Sequence, residues 1–590
     1  MTSNAPLQRS IDPKIRDHAR RARLAARAAR ARQRLGTAAA VPDGLPKTGL
    51  EQNPSLRRPD KQAPAGQGAK APRAAPSPPS AAVTTLRRAA FGPTPGAVAD
   101  FNALAGNDAD RLQTWVDQQL DPASIDDSAL DARMAQSAFS TLGKPLPQLW
   151  LDHLVNATEW EDIIRPIEET TLATFLRAIH SRRQLFEVMV DFWHTHFSVF
   201  GYDFPIVAVW VHYDRDVIRA NTFGNFRTLL EGVAQSPAML YYLDNNVNSF
   251  EDPNENYARE LMELHTMGAH AYYGSLPQDQ VPTDGQGRPL GYVEDDVVSA
   301  AKCLTGWTLS DRDWDPDFGN TGEFLYHDPW HDHDAKTLLG EDLSPNQAPM
   351  KDGRDLLDLL ASHPATARFI ATKMCRRLVG DSPPESLVDA AAATFLAAVD
   401  APDQIAQTLR TILLAPEFLG TWGDKVRRPF EIAIATFRGI DGDLPFTETD
   451  DSTNWFLWEF YQTGQALFSW NPPNGYPDFK AAWNSSSPRV MCWRLANMLV
   501  QVSDPDDNPY LDVLAKTPPS VRSSREIVEF WAQRLYGTAA SPQEEEHLID
   551  FMAQGHNPDY DLPVSTSEEV QSRLRALVAL MCMSPSFLWR

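Results

Sequence analysis

Apolar residues recur at helical spacing along most of this chain. One such stretch contains Leu172, Phe175, Leu176, Ile179, Leu185, Val188, Met189, Phe192 and Trp193. This spacing places the apolar side chains on one face of an α-helix. Similar patterns cover residues 226–243, 354–362, 366–379, 385–399, 405–414, 427–438, 489–502, 525–536 and 569–582. Strand-like alternation is rare and short, so the sequence predicts a mostly α, multi-helix globular body with few or no strands.

The N-terminal region has a different composition from this body. Residues 1–80 carry 16 Lys and Arg against 5 Asp and Glu, although the whole chain has a net charge of −24. Arginines at positions 16, 20, 23, 27, 30 and 34 would form one stripe on a helix. We predict a basic Ala/Arg arm over 1–36, largely disordered or helical, and a Pro/Ala-rich linker over 37–82. The body then spans 83–590, with a sub-division near residue 400 left open.

Charge and hydropathy limit the classes of partner. An acidic body repels nucleic acid and anionic membranes, so only the N-terminal arm is expected to bind either of them. No run approaches 18 uninterrupted apolar residues, so no transmembrane segment is expected. No signal peptide is evident, which favours the cytoplasm.

The four cysteines lie far apart and form no CxxC pair, so we expect buried thiols rather than disulfides or a zinc site.

The first candidate site segment contains two acidic residues one helical turn apart. Glu260 and Glu263 share a helix face and could bind a hard metal ion or share a proton. Asp252 is predicted to cap this helix, with Pro253 in its first turn and Glu255 completing a capping box. Arg259 lies four residues after Glu255 and can pair with it. His265 would join the acidic face only if the helix ended first, which Met267 and Gly268 make plausible.

Two further segments are rich in histidine. His194 and His196 follow a helical pattern, so we expect one of them, His196, to face inward. The loop from His327 to Lys336 contains His331 and Asp332, which could ligate a metal or act as a general acid or base. A buried core histidine and a solvated loop are the structural alternatives. The sequence lacks GxxxxGK[ST], HExxH, GxSxG and strand–GxGxxG–helix motifs.

The order of several motifs resembles a bacterial family known as domain of unknown function 1800, over residues of about 84–590. The motifs are LRRAAFGPT (86–94), WVDQQL (115–120), FWHTHF (192–197), PNENYARELMELHTMG (253–268), DVV (296–298), LTGW (304–307), HD with K and LG (331–340), HPATA (363–367) and PNGYP (473–477). The resemblance implies a largely helical fold, often exported beside a sulfatase-like partner family. It also implies that the positions of His196, Glu260 and Glu263 are typical of the family, whereas those of His194 and His265 admit aromatic residues. It implies no established activity.

These residues lead to three functional hypotheses. The first is a metal-dependent hydrolase of a phosphoester, sulfate ester or glycan, in which His196, Glu260, Glu263 and His331 bind a divalent metal. Its catalytic set would be Glu260, Glu263, Asp332 and Arg259. Buried carboxylates need a counter-charge, and Arg259, Arg88 or Lys336 could supply one instead of a metal.

The second hypothesis is a non-enzymatic binding or assembly protein whose polar helix network is structural. Its aromatic residues would line a groove for a glycan or a partner protein. These residues are Trp307, Trp330, Tyr476 and Trp483. The third hypothesis, a carboxylate/histidine iron oxidoreductase, would normally need a Glu-x-x-His spacing that the core segments lack. All three depend on whether segments 191–197, 254–265 and 327–336 meet in space.

Overall fold

A computed structural model describes residues 79–312, 318–501 and 510–590. The predicted basic arm and nearly all of the predicted linker lie outside these residues. The described residues belong to one compact unit.

Helices dominate the described chain, which confirms the predicted mostly α body. In chain order they are α1 (Ala81–Arg88), α2 (Ala97–Ala103), α3 (Asp108–Leu120), α4 (Ser128–Gln136), α5 (Leu146–Trp150), α6 (Trp160–His180), α7 (Gln184–His196), α8 (Ile206–His212), α9 (Phe226–Gln235), α10 (Pro237–Tyr242), α11 (Glu255–Glu260), α12 (Glu294–Cys303), α13 (Lys351–Ser362), α14 (Pro364–Leu378), α15 (Glu385–Ala397), α16 (Gln404–Leu413), α17 (Pro416–Gly420), α18 (Pro429–Ile440), α19 (Asp451–Tyr461), α20 (Lys480–Trp483), α21 (Ser486–Gln501), α22 (Val513–Lys516), α23 (Ser524–Tyr536), α24 (Pro542–Ala553), α25 (Glu568–Met583) and α26 (Pro585–Leu588).

Three π-helical segments interrupt this pattern: Leu151–Val155, Tyr213–Arg219 and Leu261–His265. The last of them continues α11 and carries Glu263. No helix of the described chain is both long and apolar enough to cross a membrane.

Proline begins a new helix at several sharp corners. Pro237, Pro416 and Pro585 occupy the first helical positions of α10, α17 and α26. One or two residues separate each proline from the end of the preceding apolar helix, which is α9, α16 and α25 respectively. Proline fits there because the first N–H groups of a helix have no intrahelical acceptor.

The few strands form two antiparallel hairpins. Strand β1 (Trp307–Arg312) pairs with β2 (Gly319–Tyr326), with a bulge between Leu309 and Asp311. Strand β3 (Lys336–Leu338) pairs with β4 (Glu341–Leu343). Trp307 is fully buried, and a Cβ at Gly353 of α13 would lie 2.5 Å from its ring. Glycine is therefore required where α13 crosses β1.

An aromatic cluster joins α6 to the C-terminal half of the described chain. The ring of Phe175 lies 5.1 to 6.0 Å from four other phenylalanine rings. These belong to Phe430, Phe446, Phe456 and Phe460. Such pairs stabilise a core beyond the effect of burial alone. Cys303, Cys375, Cys492 and Cys582 are all free and buried, as the sequence predicts.

Buried ion pairs fix α7, α14 and α18 together. Arg377 pairs with both Asp191 and Glu431, and Arg428 pairs with Asp191. Arg590 reaches the same Glu431 carboxylate at 2.7 Å. Burial alone would raise the pKa of Glu431, but the three guanidinium groups hold it well below its usual range. Asp191 connects this network to α7, the helix that carries His194 and His196.

Candidate functional site

The helix with the acidic pair begins two residues later than predicted. Asn254, rather than Asp252, is the N-cap, and its side chain accepts a hydrogen bond from the Asn256 N–H. The Asn254 N–H donates to Asn248 Oδ1 at 2.9 Å, which anchors the cap to the preceding loop. Asp252 instead forms a β-bridge with Ser249. The predicted capping box at Asp252 and Glu255 is therefore wrong, because the loop takes Asp252 out of capping position.

The π-helical segment Leu261–His265, called the π-turn below, follows Glu260 and ends the helix. The Thr266 hydroxyl donates to the Leu261 carbonyl at 2.7 Å, and Gly268 has a φ of +89°. The helix does end directly after His265, as Met267 and Gly268 suggested. His265 is fully buried, and neither ring nitrogen has a hydrogen-bond partner in the described chain. π-turns occur often at functional sites because they displace side chains from regular helical positions.

His196 brings two of the three predicted segments together. Its Nε2 lies 3.0 Å from the His265 carbonyl oxygen, which can only accept, so Nε2 carries the proton. Its Nδ1 then accepts from Lys373 Nζ at 2.8 Å. Burial, reinforced by Lys373, holds the pKa of His196 well below its ordinary value. His196 faces inward as predicted, and both of its nitrogens are engaged.

Burial also lowers the pKa of Lys373 to about 8. Sequence reasoning missed Lys373, because no motif around it on α14 signals a contact with α7.

Glu260 and Glu263 are half-buried and have no hydrogen bond or ion pair in the described chain. Burial, and then the neighbouring Glu263 carboxylate, raise the pKa of Glu260. Arg259 forms ion pairs elsewhere, with Glu255 at 3.0 Å and Glu294 at 2.6 Å. The expected pairing of Arg259 with Glu255 is thus confirmed. It leaves the acidic pair without a direct ion pair in the described chain, although the charge of Arg259 partly offsets the rise in the pKa of Glu260.

Two tyrosines lie beside the acidic pair. Burial, followed by the charge of Glu260, raises the pKa of Tyr242, whose hydroxyl donates to the Asn471 carbonyl. Burial, followed by the charge of Glu263, raises the pKa of Tyr292. Tyr292 is 1% exposed, and its hydroxyl has no partner in the described chain. A buried hydroxyl without a protein partner is commonly satisfied by a bound water.

The third predicted segment belongs to a separate polar network. His331 is buried, with Nε2 3.3 Å from Asp352 and Nδ1 2.9 Å from the Thr305 carbonyl. Lys336 lies 3.3 Å from Asp332 and 2.7 Å from Asp352.

Burial alone would raise the pKa of Asp352, but hydrogen bonds from His331 and Lys336 lower it to about 2. No hydrogen bond, ion pair or ring contact of the described chain links His331 or Asp332 to His196, Glu260 or Glu263. The residues described also contain no group of three or more His, Cys, Asp or Glu side chains placed to hold a metal ion.

The expected aromatic groove is only partly accessible. Trp307 is fully buried and cannot line a groove, and Trp483 is 6% exposed. The Arg312 guanidinium lies 4.8 Å from the Trp330 ring centre. The rings of Tyr476 and Trp470 are tilted by 47°, with centres 4.7 Å apart, and both residues line a small cavity that His194 also lines. The side chain of His194 is 9% exposed and contacts Asp214, whereas His196 contacts the His265 carbonyl, so the two α7 histidines face different surroundings.

The comparison with protein families agrees with the motif order. The family model described as protein of unknown function (DUF1800) matches residues 84–589. No curated protein and no solved structure matches the chain. The family match spans α1 through α26 and includes His194, His196, the acidic pair and the His331 network. This chain therefore belongs to the DUF1800 family of proteins of unknown function.

Proposed function

We propose that the protein is a metal-dependent hydrolase in which Glu260 and Glu263 bind a divalent cation. The observation that carries this proposal is that neither of these two half-buried carboxylates has a direct ion pair or hydrogen bond within the described chain, so that the charge of Arg259 acts on Glu260 only without contact. The alternative cations are engaged elsewhere. Arg88 donates to the Phe418 and Thr421 carbonyls, Arg259 pairs with Glu255 and Glu294, and Lys336 pairs with Asp332 and Asp352.

Two carboxylates match the needs of a hard cation such as Mg²⁺. Such an ion is commonly held by one or two carboxylates, with water and substrate oxygens completing its shell. The Tyr292 hydroxyl beside Glu263 would hydrogen-bond one of these waters. A bound cation would neutralise the pair and polarise a phosphoester or sulfate ester for attack by water.

His196 has a supporting role in this proposal. Its Nε2–H holds the His265 carbonyl, and its Nδ1 holds Lys373, so both nitrogens are used to position the π-turn. His331 and Asp332 stabilise the hairpin region around Lys336 and Asp352. This division reduces the predicted ligand set from four residues to the acidic pair.

Titration with Mn²⁺, followed by electron paramagnetic resonance, tests the cation site. We expect one equivalent to bind and Mg²⁺ or Ca²⁺ to compete. Glu260→Gln or Glu263→Gln should weaken binding by about tenfold or more, since each removes a formal charge. Glu546→Gln/Asp550→Asn is the matched control, because it removes two exposed charges one turn apart on α24.

His331→Asn distinguishes a cation site formed by Glu260 and Glu263 alone from one that uses all four predicted ligands. It should leave Mn²⁺ affinity unchanged while lowering the urea midpoint. Equal loss in the α24 control, or binding below about 0.2 equivalents, contradicts the cation proposal. Hydrolysis of chromogenic phosphoesters, sulfate esters and glycosides, with and without EDTA, then identifies the substrate class. A cation site without any hydrolysis would restrict the role to binding.

A non-enzymatic binding or assembly role is the second candidate. It is favoured because His196, His331 and Arg259 already form hydrogen bonds or ion pairs with other residues of this chain. Such bonding is typical of structural networks. In this case, Glu260→Gln or Glu263→Gln changes the melting temperature and affects no ligand.

A further inference from the structure

Lys373 of α14 is a lysine whose amine lacks a carboxylate partner. Its Nζ donates to His196 Nδ1 at 2.8 Å and lies 5.4 Å from the centre of the Phe369 ring. It forms no ion pair in the described chain, whereas Lys336 and Lys425 each contact two carboxylates. Part of the Lys373 residue remains exposed to solvent. Its surroundings therefore differ from those of the two lysines that hold buried carboxylates.

The hydrogen bond to His196 leaves the lone pair of a neutral Lys373 amine unused. His196 Nε2 carries a proton because it lies 3.0 Å from the His265 carbonyl oxygen, which can only accept. Burial keeps the pKa of His196 well below its ordinary value, so Nδ1 stays unprotonated and accepts one N–H of Lys373. No hydrogen bond of the described chain engages the lone pair that a neutral amine then keeps.

The groups around Lys373 favour the neutral amine. Burial, the largest effect, lowers the pKa of Lys373 to about 8, with Asp478 opposing the shift and Arg376 adding to it. Asp478 acts at a distance, because it forms no ion pair with Lys373 in the described chain. Burial also lowers the pKa values of His196 and His265, so both rings near the amine are neutral. A desolvated lysine of this kind is nucleophilic near neutral pH.

We propose that Lys373 is a reactive amine that condenses with small aldehydes to form an imine, with His196 orienting its nitrogen. In the first step, Nζ attacks the aldehyde carbon, the carbonyl π electrons move to the oxygen, and one N–H proton is transferred to that oxygen. The nitrogen lone pair then expels the hydroxyl group, which leaves as water with the second N–H proton. The products are a C=N bond and one water molecule. This inference does not depend on the cation proposed at Glu260 and Glu263.

Reductive trapping on the full chain tests the proposal. The protein is treated with propanal and sodium cyanoborohydride, which reduces an imine to a stable secondary amine, and peptide mass spectrometry measures the rate at each lysine. At pH 7.5 we expect Lys373 to react at least about tenfold faster than the exposed Lys480, because an ordinary lysine amine titrates near about 10.4. The rate at Lys373 should reach a plateau above its pKa of about 8.

Two controls separate this reaction from general lysine labelling. The Lys336 side chain is 1% exposed and ion-paired, so it should stay unmodified in the folded protein. Lys373→Arg keeps a positive charge but cannot form the imine, so it should lose the fast reaction. The comparison of lysines within the wild-type chain does not depend on the folding of this variant.

Three outcomes would overturn the proposal. They are a rate at Lys373 no higher than that at Lys480, a rate at Lys373 that shows no plateau up to pH 10, and a fast reaction that persists in Lys373→Arg. The first would mean that the amine is protonated or shielded, and the last would assign the fast reaction to another group.

Discussion

Buried arginines in this protein are satisfied in two different ways. Arg438 donates to the Gly92 and Ile179 carbonyls, which are neutral acceptors. Arg377 and Arg590 instead converge on the carboxylate of Glu431. Removing that carboxylate would leave buried positive charges facing each other, which is far more costly than losing one hydrogen bond.

We therefore expect Glu431→Gln to lower the free energy of unfolding by about 3–5 kcal/mol. Urea denaturation followed by circular dichroism measures this change. Glu569→Gln is a suitable control, because its side chain is 85% exposed and its ion pair with Arg573 lies at the surface. The control should change stability by less than about 0.5 kcal/mol. A similar small effect at Glu431 would show that the buried ion pairs are energetically redundant.

The sequence predicted the burial of single residues best where helical periodicity alone decides which way a side chain points. His196 lies four residues after Phe192 on the apolar face of α7, and it is buried as expected. His194 does not follow from this pattern, because its burial depends on Asp214, twenty residues later. Arg219 and Glu187 complete that network through contacts that no local spacing encodes.

At the scale of elements, α11 depends on a cap that differs from the predicted one. Asn254 Oδ1 accepts from the Asn256 N–H at 2.9 Å, whereas Asp252 has no capping contact in the described chain.

Asn254→Ala should therefore cost about 1 kcal/mol of stability, and Asn254→Asp should retain most of it. Thermal unfolding by differential scanning calorimetry tests both variants, with Asp252→Ala as the paired comparison. A larger loss for Asp252→Ala than for Asn254→Ala would restore the original capping assignment.

Helices and proline corners were predictable, but irregular elements were not. The 3.6-residue pattern identifies α7 and α9, and proline marks the start of α10. The apolar residues Leu261, Met262 and Leu264 fit a continuing α-helix as well as they fit a π-turn. Their pattern therefore does not predict the π-turn. The turn depends on Thr266 donating to the Leu261 carbonyl. Similarly, β1 forms where Trp307 packs against Gly353, a contact between distant segments.

Across the whole molecule, several carboxylates gain stability from being ionised in the folded state. Cationic partners lower the pKa of Asp352 and of Asp478 to about 2, against the effect of burial, and those of Asp214 and Glu431 also lie below the usual range. An unfolded Asp titrates near about 4. Because the folded values are lower, this stabilisation is complete above the unfolded pKa and is lost as the pH falls toward the folded values.

The urea midpoint should accordingly fall steeply between about pH 5 and pH 2. Measurements at intervals across this range, in one buffer system and at constant ionic strength, check the expectation. Glu431→Gln should show a shallower acid dependence than the wild type, since it lacks one of the titrating groups. A constant midpoint down to about pH 3 would contradict the assignment of these carboxylates.

Family membership and fold class were both predictable from the order of long motifs. The assembly of the candidate site was predictable only in part. His196 contacts the π-turn that carries Glu263, so two of the three segments meet. The third joins Asp352 through His331 and Lys336, and that choice depends on where α13 packs.

The contacts of α1 also bear on how this chain reaches its native state during synthesis. Arg87 donates to the carbonyls of Ser586 and Trp589, about five hundred positions downstream. While a ribosome is still making the middle of the protein, this guanidinium has none of those acceptors. Helix α1 therefore cannot make these contacts in an unfinished nascent chain. The packing of α1 against the C-terminal residues is a late, post-translational event.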